Sequence, residues 1–172
     1  MSTLYLTLLI FFNIIIIFFT IYTIYANIHG APYVPTRKKH IRTMLDISES
    51  SKGMTLIDLG SGDGRIVCMA AKRGVTATGI EINPILHYWA SAKKLFSRHK
   101  KYMSFRRENL WHVDLSDVDV LTLFFIKPKM GELMKKIQTE MKPGSCVVSH
   151  IFTFDGWQHE KKRGTIFLYR VK

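Results

Sequence analysis

The stretch from Thr55 to Val67, TLIDLGSGDGRIV, constrains the fold more than any other part of the sequence. An apolar run leads into Asp58, glycines stand at positions 60, 62 and 64, and an apolar pattern with helical spacing follows. Glycines in such a turn allow sharp bends and let a ligand approach the backbone closely. The segment therefore predicts the first strand, the ligand-binding turn and the first helix of an α/β fold.

The remainder of this region alternates between strand-like and helix-like segments. Strands are predicted at 54–60, 75–82, 103–109, 119–126, 145–154 and 164–172, and helices at 38–48, 64–74, 83–102 and 129–144. Asn83 followed by Pro84 is a typical helix start. Strands that alternate with helices indicate a parallel, doubly wound, Rossmann-like sheet.

The N-terminus is a long uncharged segment, from Leu4 to Ala26. As a helix it would be about 34 Å long, enough to cross a hydrocarbon core of roughly 30 Å. A cleaved signal peptide fits less well because no Lys or Arg precedes the apolar run. The basic cluster between Thr36 and Arg42 predicts a single-pass membrane protein with the following domain in the cytoplasm, its basic stretch resting on anionic lipid.

Charge and cysteine content narrow the possible partners. We predict an anchor at 1–28, a linker and short helix at 29–52, and an α/β domain at 53–172. All 25 Lys and Arg residues and all 13 Asp and Glu residues lie at or after Arg37, and the net charge is +12. This balance favours an acidic partner such as nucleic acid, anionic lipid or an acidic protein, or simply a solvated basic surface. The two cysteines, Cys68 and Cys146, lack metal-ligand spacing, so we predict reduced thiols and no metal site.

The residues of the turn narrow the choice of ligand. The dinucleotide fingerprint would need a third glycine where Arg65 stands, and the Lys-Ser/Thr of a phosphate loop is missing. An acidic residue at a strand end, here Glu81, suits ribose hydroxyls. Asp58 and Asp63 would repel a pyrophosphate but tolerate a zwitterionic amino acid that carries a sulfonium cation. The ligand predicted from these residues is S-adenosylmethionine.

Five segments of the sequence together resemble a known family. They are PYVPT (32–36), DLGSGDGRIV (58–67), GIEINP (79–84), DLSDVDVLTLF (114–124) and VVSHIFTFDGW (147–157). The set resembles class I S-adenosylmethionine-dependent methyltransferases, and among them the membrane-anchored protein lysine methyltransferases. That family includes the mitochondrial enzymes that modify the c-ring protein of ATP synthase and the adenine nucleotide translocase, and small archaeal relatives. An apolar anchor ahead of PYVPT is similar to the family layout.

The resemblance implies roles for the residues of the turn and of the second strand. Asp58, Gly60 and Gly62 would line the methionine end of the cofactor, with Asp63 beside them, and Glu81 would hold the ribose hydroxyls. We expect Glu81 to line the surface of the pocket. Its replacement by Ala should then weaken cofactor binding and leave the fold intact.

The resemblance also implies the remaining cofactor contacts. Ile82 would lie against the adenine, and Asn109 and Leu110 would meet the edge and face of that ring. Tyr33 and Thr36 would cover the methionine moiety and help to form a channel for the substrate lysine. A linker aromatic that packs on the domain or lies at the membrane interface is the structural alternative for Tyr33.

A substrate lysine must lose its proton before it can attack the methyl group, and a nearby side chain could accept that proton. Asp119 and His150 are the candidates, although a local hydrogen bond or a buried core position would also account for them. Two features depart from the family pattern. Ile151 stands where the family often has an acidic residue, and the short segment after Trp157 predicts that the final hairpin is incomplete.

The sequence thus predicts a lysine methyltransferase that acts on a membrane or membrane-associated protein. Methylation of a membrane lipid or quinone stays open, as does a non-enzymatic module that binds the cofactor. Methylation of RNA or DNA is permitted by the basic charge. It is disfavoured because the segment after the fourth strand, FFIKPK (124–129), lacks the Asn/Asp-Pro-Pro-aromatic turn of amino-methylating enzymes.

Overall fold

The computed structural model describes residues 3–29 and 33–172, with the side chains of residues 21–29 excepted. Residues 1 and 2 of the predicted anchor and residues 30–32 of the predicted linker lie outside this part. The chain divides into two compact units, residues 1–33 and 34–172. The first unit contains helix α1 (Thr3–His29), which among the described residues is the single helix long and apolar enough to cross a membrane, judged by length and composition.

The second unit is built on a seven-stranded sheet. Its strands are β1 (Thr55–Leu59), β2 (Thr76–Ile80), β3 (Met103–Arg106), β4 (Val120–Leu123), β5 (Cys146–His150), β6 (Lys161–Arg163) and β7 (Ile166–Arg170). Their order across the sheet is β3-β2-β1-β4-β5-β7-β6. The first five strands pair in parallel, whereas β7 is antiparallel to both β5 and β6. The predicted doubly wound α/β sheet is confirmed, with an antiparallel edge.

Four helices belong to this unit: α2 (Lys38–Ile47), α3 (Arg65–Lys72), α4 (Pro84–Leu95) and α5 (Met130–Glu140). As predicted, Asn83 caps α4, because its side-chain oxygen accepts hydrogen bonds from the backbone N–H groups of Ile85 and Leu86. Gly74, with a φ of +79°, follows the end of α3, where the left-handed backbone suits glycine.

Buried residues form two hydrophobic clusters, one on each face of the sheet. The apolar face of α5, including Met130, Leu133 and Ile137, belongs to one cluster. Buried residues of α2 and α3, such as Met44 and Val67, belong to the other. Alternate residues of the strands divide between the two faces, as in any pleated sheet covered on both sides.

Two expectations about the C-terminal half need correction. The final hairpin is present: β6 pairs with β7 through Lys161 to Leu168 and Arg163 to Ile166, so the predicted incomplete hairpin was wrong. Strand β6 has the sequence Lys-Lys-Arg, which carries no apolar alternation to reveal it. Helix α4 ends at Leu95 rather than at residue 102, and a 3₁₀ turn occupies Lys100–Tyr102.

Candidate functional site

The carboxyl ends of β1 to β5 all lie at one edge of the sheet, which we call the carboxyl edge. Strand β1 lies between β2 and β4, so the connections that leave β1 and β4 run towards opposite sides of the sheet. In doubly wound folds this switch point opens a crevice beyond the strand ends. The residues predicted to bind a cofactor follow β1, β2 and β3 at this edge.

The glycine turn after β1 is held by the end of β2. The backbone N–H groups of Gly60 and Ser61 both donate to the carbonyl of Ile80, each at 2.9 Å. Gly60 and Gly62 have φ values of +71° and +55°, which favour glycine. A Cβ at Gly60 would meet no atom within 4 Å, so the backbone there is open to a ligand.

Gly64, the third glycine, serves packing instead. A Cβ at this position would lie 2.6 Å from the ring of Phe105 and 3.0 Å from Ala90. The helix can therefore approach β3 and α4 closely only if residue 64 has no side chain. The turn thus combines an open position at its start with a tightly packed position at its end.

Glu81 joins the end of β2 to the glycine turn. Its Oε2 accepts a hydrogen bond from the backbone N–H of Gly62, and its Oε1 accepts one from that of Asn83, each at 2.8 Å. The residue is only 9% exposed. The expectation that Glu81→Ala would leave the structure intact is therefore wrong, because two N–H groups would lose their acceptor. Each carboxylate oxygen keeps lone-pair capacity for a ribose hydroxyl.

Asp58 is the most buried carboxylate of the site, with 2% of its surface exposed. Its Oδ1 accepts a hydrogen bond from the Thr122 hydroxyl across β1 and β4 at 2.8 Å. Burial, together with the nearby charges of Glu81 and Asp63, raises the pKa of Asp58 to about 7, against the lowering effect of Thr122. A carboxylate so poorly compensated favours a ligand that brings positive charge.

Asp63 has a different environment from Asp58. Its carboxylate pairs with Arg65 at 2.8 Å and with Lys93 of α4 at 2.6 Å. Burial would raise the pKa of Asp63, but these hydrogen bonds outweigh it, and the pKa is lowered. Its charge is therefore neutralised within the protein, so the predicted repulsion of a pyrophosphate comes from Asp58 and Glu81 rather than from Asp63.

Arg65 is a residue whose role sequence reasoning missed, since it was noted only as a missing glycine. Besides gripping Asp63 through two nitrogens, it donates from a terminal nitrogen to the carbonyl of Thr36 at 3.1 Å. Thr36 is buried, with 6% of its surface exposed. Arg65 thus fixes the segment that enters the domain against the glycine turn, close to where Thr36 was predicted to act.

The predicted adenine contacts follow β2 and β3 at the same edge. Ile82 is half-buried just beyond Glu81, whose backbone N–H donates to the carbonyl of Arg106 at the end of β3. Asn109 accepts a hydrogen bond from the backbone N–H of Trp111 at 3.2 Å and caps a short 3₁₀ turn, Leu110–His112. Leu110 packs against the hydrophobic core.

His150, at the end of β5, lies in an aromatic cluster with no polar partner among the described residues. Its ring centroid is 4.9 Å from that of His40 in α2 and 4.8 Å from that of Phe124, which in turn stacks on Phe152 at 6.1 Å. Within the same part of the chain, neither ring nitrogen has a hydrogen-bond partner. Burial, and then the neighbouring His40, lowers the pKa of His150 to about 4, so the ring is neutral at pH 7. His40 had no signal in the sequence, since it belongs to an ordinary amphipathic helix.

Asp119 is set apart from these residues, at the amino end of β4. Its Oδ2 accepts hydrogen bonds from the backbone N–H and the hydroxyl of Thr55 at 2.7 and 2.9 Å, and its Oδ1 pairs with Lys142 at 2.8 Å. Thr55 begins β1, about 16 Å along the strand from Gly60. The structure therefore separates Asp119 from the other predicted site residues and shows a structural role for its carboxylate.

Tyr33 falls in the first unit, residues 1–33, and its predicted contact with the cofactor stays a prediction. Among the described residues, no group of three or more His, Cys, Asp or Glu side chains could hold a metal ion. The site that the fold assembles thus consists of an open glycine turn, two buried carboxylates and a neutral aromatic pocket around His150.

Comparison with solved structures defines the class of protein. An enzyme from Salinibacter ruber, called an RNA methyltransferase and solved with S-adenosylhomocysteine, superposes with a TM-score of 0.76 and is 32% identical. The match covers 80% of this chain and 92% of that one. Open space at Gly60 and the under-compensated Asp58 fit a cationic nucleoside. The chain has the fold of an S-adenosylmethionine-dependent methyltransferase, and S-adenosylmethionine is its cofactor.

The family follows from the sequence. The model of the ANTKMT methyltransferase domain matches residues 58–161, and the chain belongs to this family of protein-lysine N-methyltransferases. A protein-lysine N-methyltransferase of Saccharolobus islandicus is 39% identical over 150 residues, which cover 81% of this chain and 93% of that protein. The human lysine N-methyltransferase named for the c-ring protein of ATP synthase is 34% identical over 77% of this chain. The match spans only 57% of the human protein.

Proposed function

We propose that this chain transfers methyl groups to lysine side chains of a membrane or membrane-associated protein. The observation that carries the proposal is the site itself: an acidic cofactor turn and a neutral, aromatic pocket at His150 share the carboxyl edge of one sheet. The names of the similar archaeal and human proteins support a lysine substrate. The human protein is named for a component of ATP synthase, which supports a substrate at a membrane.

When bound, S-adenosylmethionine supplies an electrophilic methyl group. Asp58 would hold positive charge at the methionine end, and Glu81 would orient the ribose while it keeps the turn in shape. The open backbone at Gly60 lets the ligand lie against the chain. Ile82, Asn109 and Leu110 would surround the adenine. Most of the catalytic effect of these residues is alignment.

His150 would act on the substrate lysine. Because its ring is neutral at pH 7, it can accept a hydrogen bond from the lysine amine and orient the attacking lone pair. Its low pKa makes it a weak final acceptor, so the proton would pass on to water rather than stay on the ring. Phe124 and Phe152 would line the lysine path and keep it dry. We give Asp119 no part in this chemistry, since it lies at the opposite edge.

The proposed location rests on the first unit and on the charges that follow it. Helix α1 is long and apolar enough to cross a membrane. The residues between Arg37 and Arg42 are rich in Lys and Arg, which favours their side of a membrane being the cytoplasm. We propose a single-pass protein whose methyltransferase unit faces the cytoplasm and rests on anionic lipid.

The test follows a labelled methyl group. Membranes from cells that lack the protein are incubated with the full-length chain and methyl-labelled S-adenosylmethionine, then separated into protein, lipid and RNA. We expect label in protein, recovered as methylated lysine after hydrolysis, and its loss with Asp58→Asn. Label in lipid, or no label with a chain that binds the cofactor, would contradict the proposal.

RNA is the second candidate substrate, favoured by one observation. The similar Salinibacter ruber structure is called an RNA methyltransferase, and this chain has a net charge of +12. The same experiment separates the two candidates: label in the RNA fraction that is released by ribonuclease would replace the lysine proposal.

A further inference from the structure

The outer face of α4 is unusual for a helix on an α/β sheet, because its large apolar side chains point to solvent. The exposed apolar residues form what we call the α4 stripe: Ile85 (56% exposed), Tyr88 (64%), Trp89 (61%), Leu95 (72%) and Phe96 (90%). Ala90 is the one buried residue of the helix. A helix of a globular domain normally turns its larger apolar side chains inward.

The spacing of the stripe makes it continuous. Relative to Ile85, its members stand at i+3, i+4, i+10 and i+11, and the exposed Ala92 at i+7 fills the gap. At 3.6 residues per turn these positions fall within about a third of the helix circumference. Contiguous apolar surface of this kind, rimmed by polar residues, marks an interaction site.

The charge around the stripe identifies the partner. Between Glu81 and Glu108 the sequence contains seven Lys and Arg residues and no acidic residue. We call Lys94, Arg98, Lys100 and Lys101 the basic flank, since they lie at the end of α4 and in the turn after it. Lys101 lies over the ring of Tyr102 at 4.8 Å. Aromatic and aliphatic side chains beside Lys and Arg are the composition of helices that lie in an anionic membrane interface.

We propose that α4 is a membrane-docking surface, with the α4 stripe inserted among the acyl chains and the basic flank on anionic lipid headgroups. A second copy of this chain is a poorer occupant, because it would bring two surfaces of the same charge together. RNA would use the basic flank and the aromatic rings, but Ile85 and Leu95 have no face on which a base could stack. The proposal concerns a surface and does not depend on the substrate proposed above.

Docking through α4 would act directly on the cofactor turn. Lys93 of α4 donates to the carboxylate of Asp63 at 2.6 Å and to its carbonyl at 2.9 Å. At the start of α4, the backbone N–H of Asn83 donates to Glu81. A helix that is bonded to the turn at these two points would carry the carboxyl edge to the lipid surface in a fixed orientation.

The experiment uses Trp89 as a reporter of lipid contact. The full-length chain is placed in nanodiscs whose lipids carry brominated acyl chains, either zwitterionic alone or mixed with anionic phosphatidylserine. We expect tryptophan emission to be quenched in the anionic discs, less so in the zwitterionic ones, and less as salt is raised. Trp89→Phe should remove that quenching, because Trp111 and Trp157 pack against the core.

Charge reversal separates docking from mere tethering by the N-terminal unit. Reversal of the basic flank to Glu should abolish the quenching of Trp89. The matched control, reversal of the exposed Lys127, Lys135 and Lys172, should leave it unchanged. Quenching that persists after reversal of the basic flank would overturn the proposal.

Two other results would overturn the proposal in favour of another occupant. Trp89 emission that responds to a single-stranded RNA oligonucleotide and not to brominated lipid would assign the surface to RNA. A dimer in light scattering that Trp89→Ser with Phe96→Ser converts to a monomer would assign it to a second copy. Because all these readings report contact rather than methyl transfer, they stand apart from the test of the proposed function.

Discussion

The two edges of the sheet treat their aspartates in opposite ways. Asp119, at the amino edge, accepts hydrogen bonds from Thr55 and pairs with Lys142, and these contacts outweigh burial and lower its pKa. Asp58, at the carboxyl edge, accepts a hydrogen bond from the Thr122 hydroxyl, and burial raises its pKa to about 7. The two residues flank the same pair of neighbouring strands, β1 and β4.

The contrast teaches where the fold stores its capacity to bind. At the amino edge the charge is compensated inside the protein, so it contributes stability and leaves nothing for a ligand. At the carboxyl edge the carboxylate of Asp58 and the nitrogens of His150 are buried without full compensation, which costs stability. A ligand or substrate that supplies the missing partner recovers that free energy.

The largest expected effect concerns His150. His150→Phe keeps the aromatic packing against Phe124 but removes both ring nitrogens. We expect kcat for lysine methylation to fall by about 100-fold, in the range typical of a lost proton-handling group, while cofactor affinity is unchanged. Steady-state kinetics and calorimetry measure the two quantities. His159→Phe, at an exposed histidine, is the matched control, and an equal loss there would contradict the assignment.

The same variant has a signature in stability. The pKa of His150 is about 4 in the folded protein, below the 6.5 of an unperturbed histidine, so the unfolded chain binds the proton first. The wild type should therefore lose up to about 3 kcal/mol as pH falls from 6.5 to 4. His150→Phe should lack this loss. Urea denaturation at pH values near the two ends of this range compares them, and parallel behaviour would contradict the buried, neutral histidine.

Asp58→Asn comes next. Loss of the carboxylate removes the charge that faces the cationic cofactor, and we expect affinity for S-adenosylmethionine to fall by about 10- to 100-fold. The variant should nevertheless be more stable than the wild type at a pH above the raised pKa of Asp58. Calorimetric titration and urea denaturation in mildly alkaline buffer test both halves. Unchanged affinity would place the cofactor elsewhere.

The sign of the Asp58 effect follows from its raised pKa. Between pH 3.8 and about 7 the folded protein holds a proton on Asp58 that the unfolded chain has released, so stability falls as pH rises through this range, by up to about 4 kcal/mol. A cationic ligand favours the ionised form, so affinity for S-adenosylmethionine should rise over the same range. Both trends should be absent in Asp58→Asn.

Glu81→Gln has a smaller expected effect. The amide keeps one oxygen to accept from the turn, but loses the charge for the ribose, and we expect cofactor affinity to fall by about 10-fold. Glu81→Ala should reduce affinity further and also lower the melting temperature, since the N–H groups of Gly62 and Asn83 lose their acceptor. Equal melting temperatures for the two variants would contradict the observed bonding.

The smallest effect on binding is expected at Asp119. Asp119→Asn weakens the hydrogen bonds from Thr55, which should cost about 1–2 kcal/mol of the free energy of unfolding. Cofactor affinity and kcat should stay at wild-type values because the residue lies at the amino edge. A loss of activity without a loss of stability would show that the two edges are not separate in function.

Much of the fold could be read from local pattern. The glycine turn, the apolar strands and the cap at Asn83 are short-range signals, and each predicted the element that formed. Strand β6 could not be found in this way, because Lys161–Arg163 has no apolar alternation and pairs with β7 through its backbone. The end of α4 was also missed, since no Gly or Pro follows Leu95 to mark it.

The candidate site divides along the same line. Asp58, Gly60, Gly62 and Glu81 stand in or beside a motif, so sequence could propose them. The hydrogen bond from Arg65 to Thr36 and the contact of His40 with His150 join segments that are far apart in the chain, and only the folded structure shows them. Asp119 illustrates the converse, since its place at the start of a strand assigns it to the edge away from the glycine turn.

The most direct test of the account is calorimetric titration of S-adenosylmethionine into the full-length wild type, Asp58→Asn and Asp119→Asn. We predict that the wild type and Asp119→Asn bind S-adenosylmethionine and S-adenosylhomocysteine alike, that Asp58→Asn binds both far more weakly, and that none of them binds NAD. Loss of binding in Asp119→Asn with full binding in Asp58→Asn would contradict a cofactor site at the carboxyl edge.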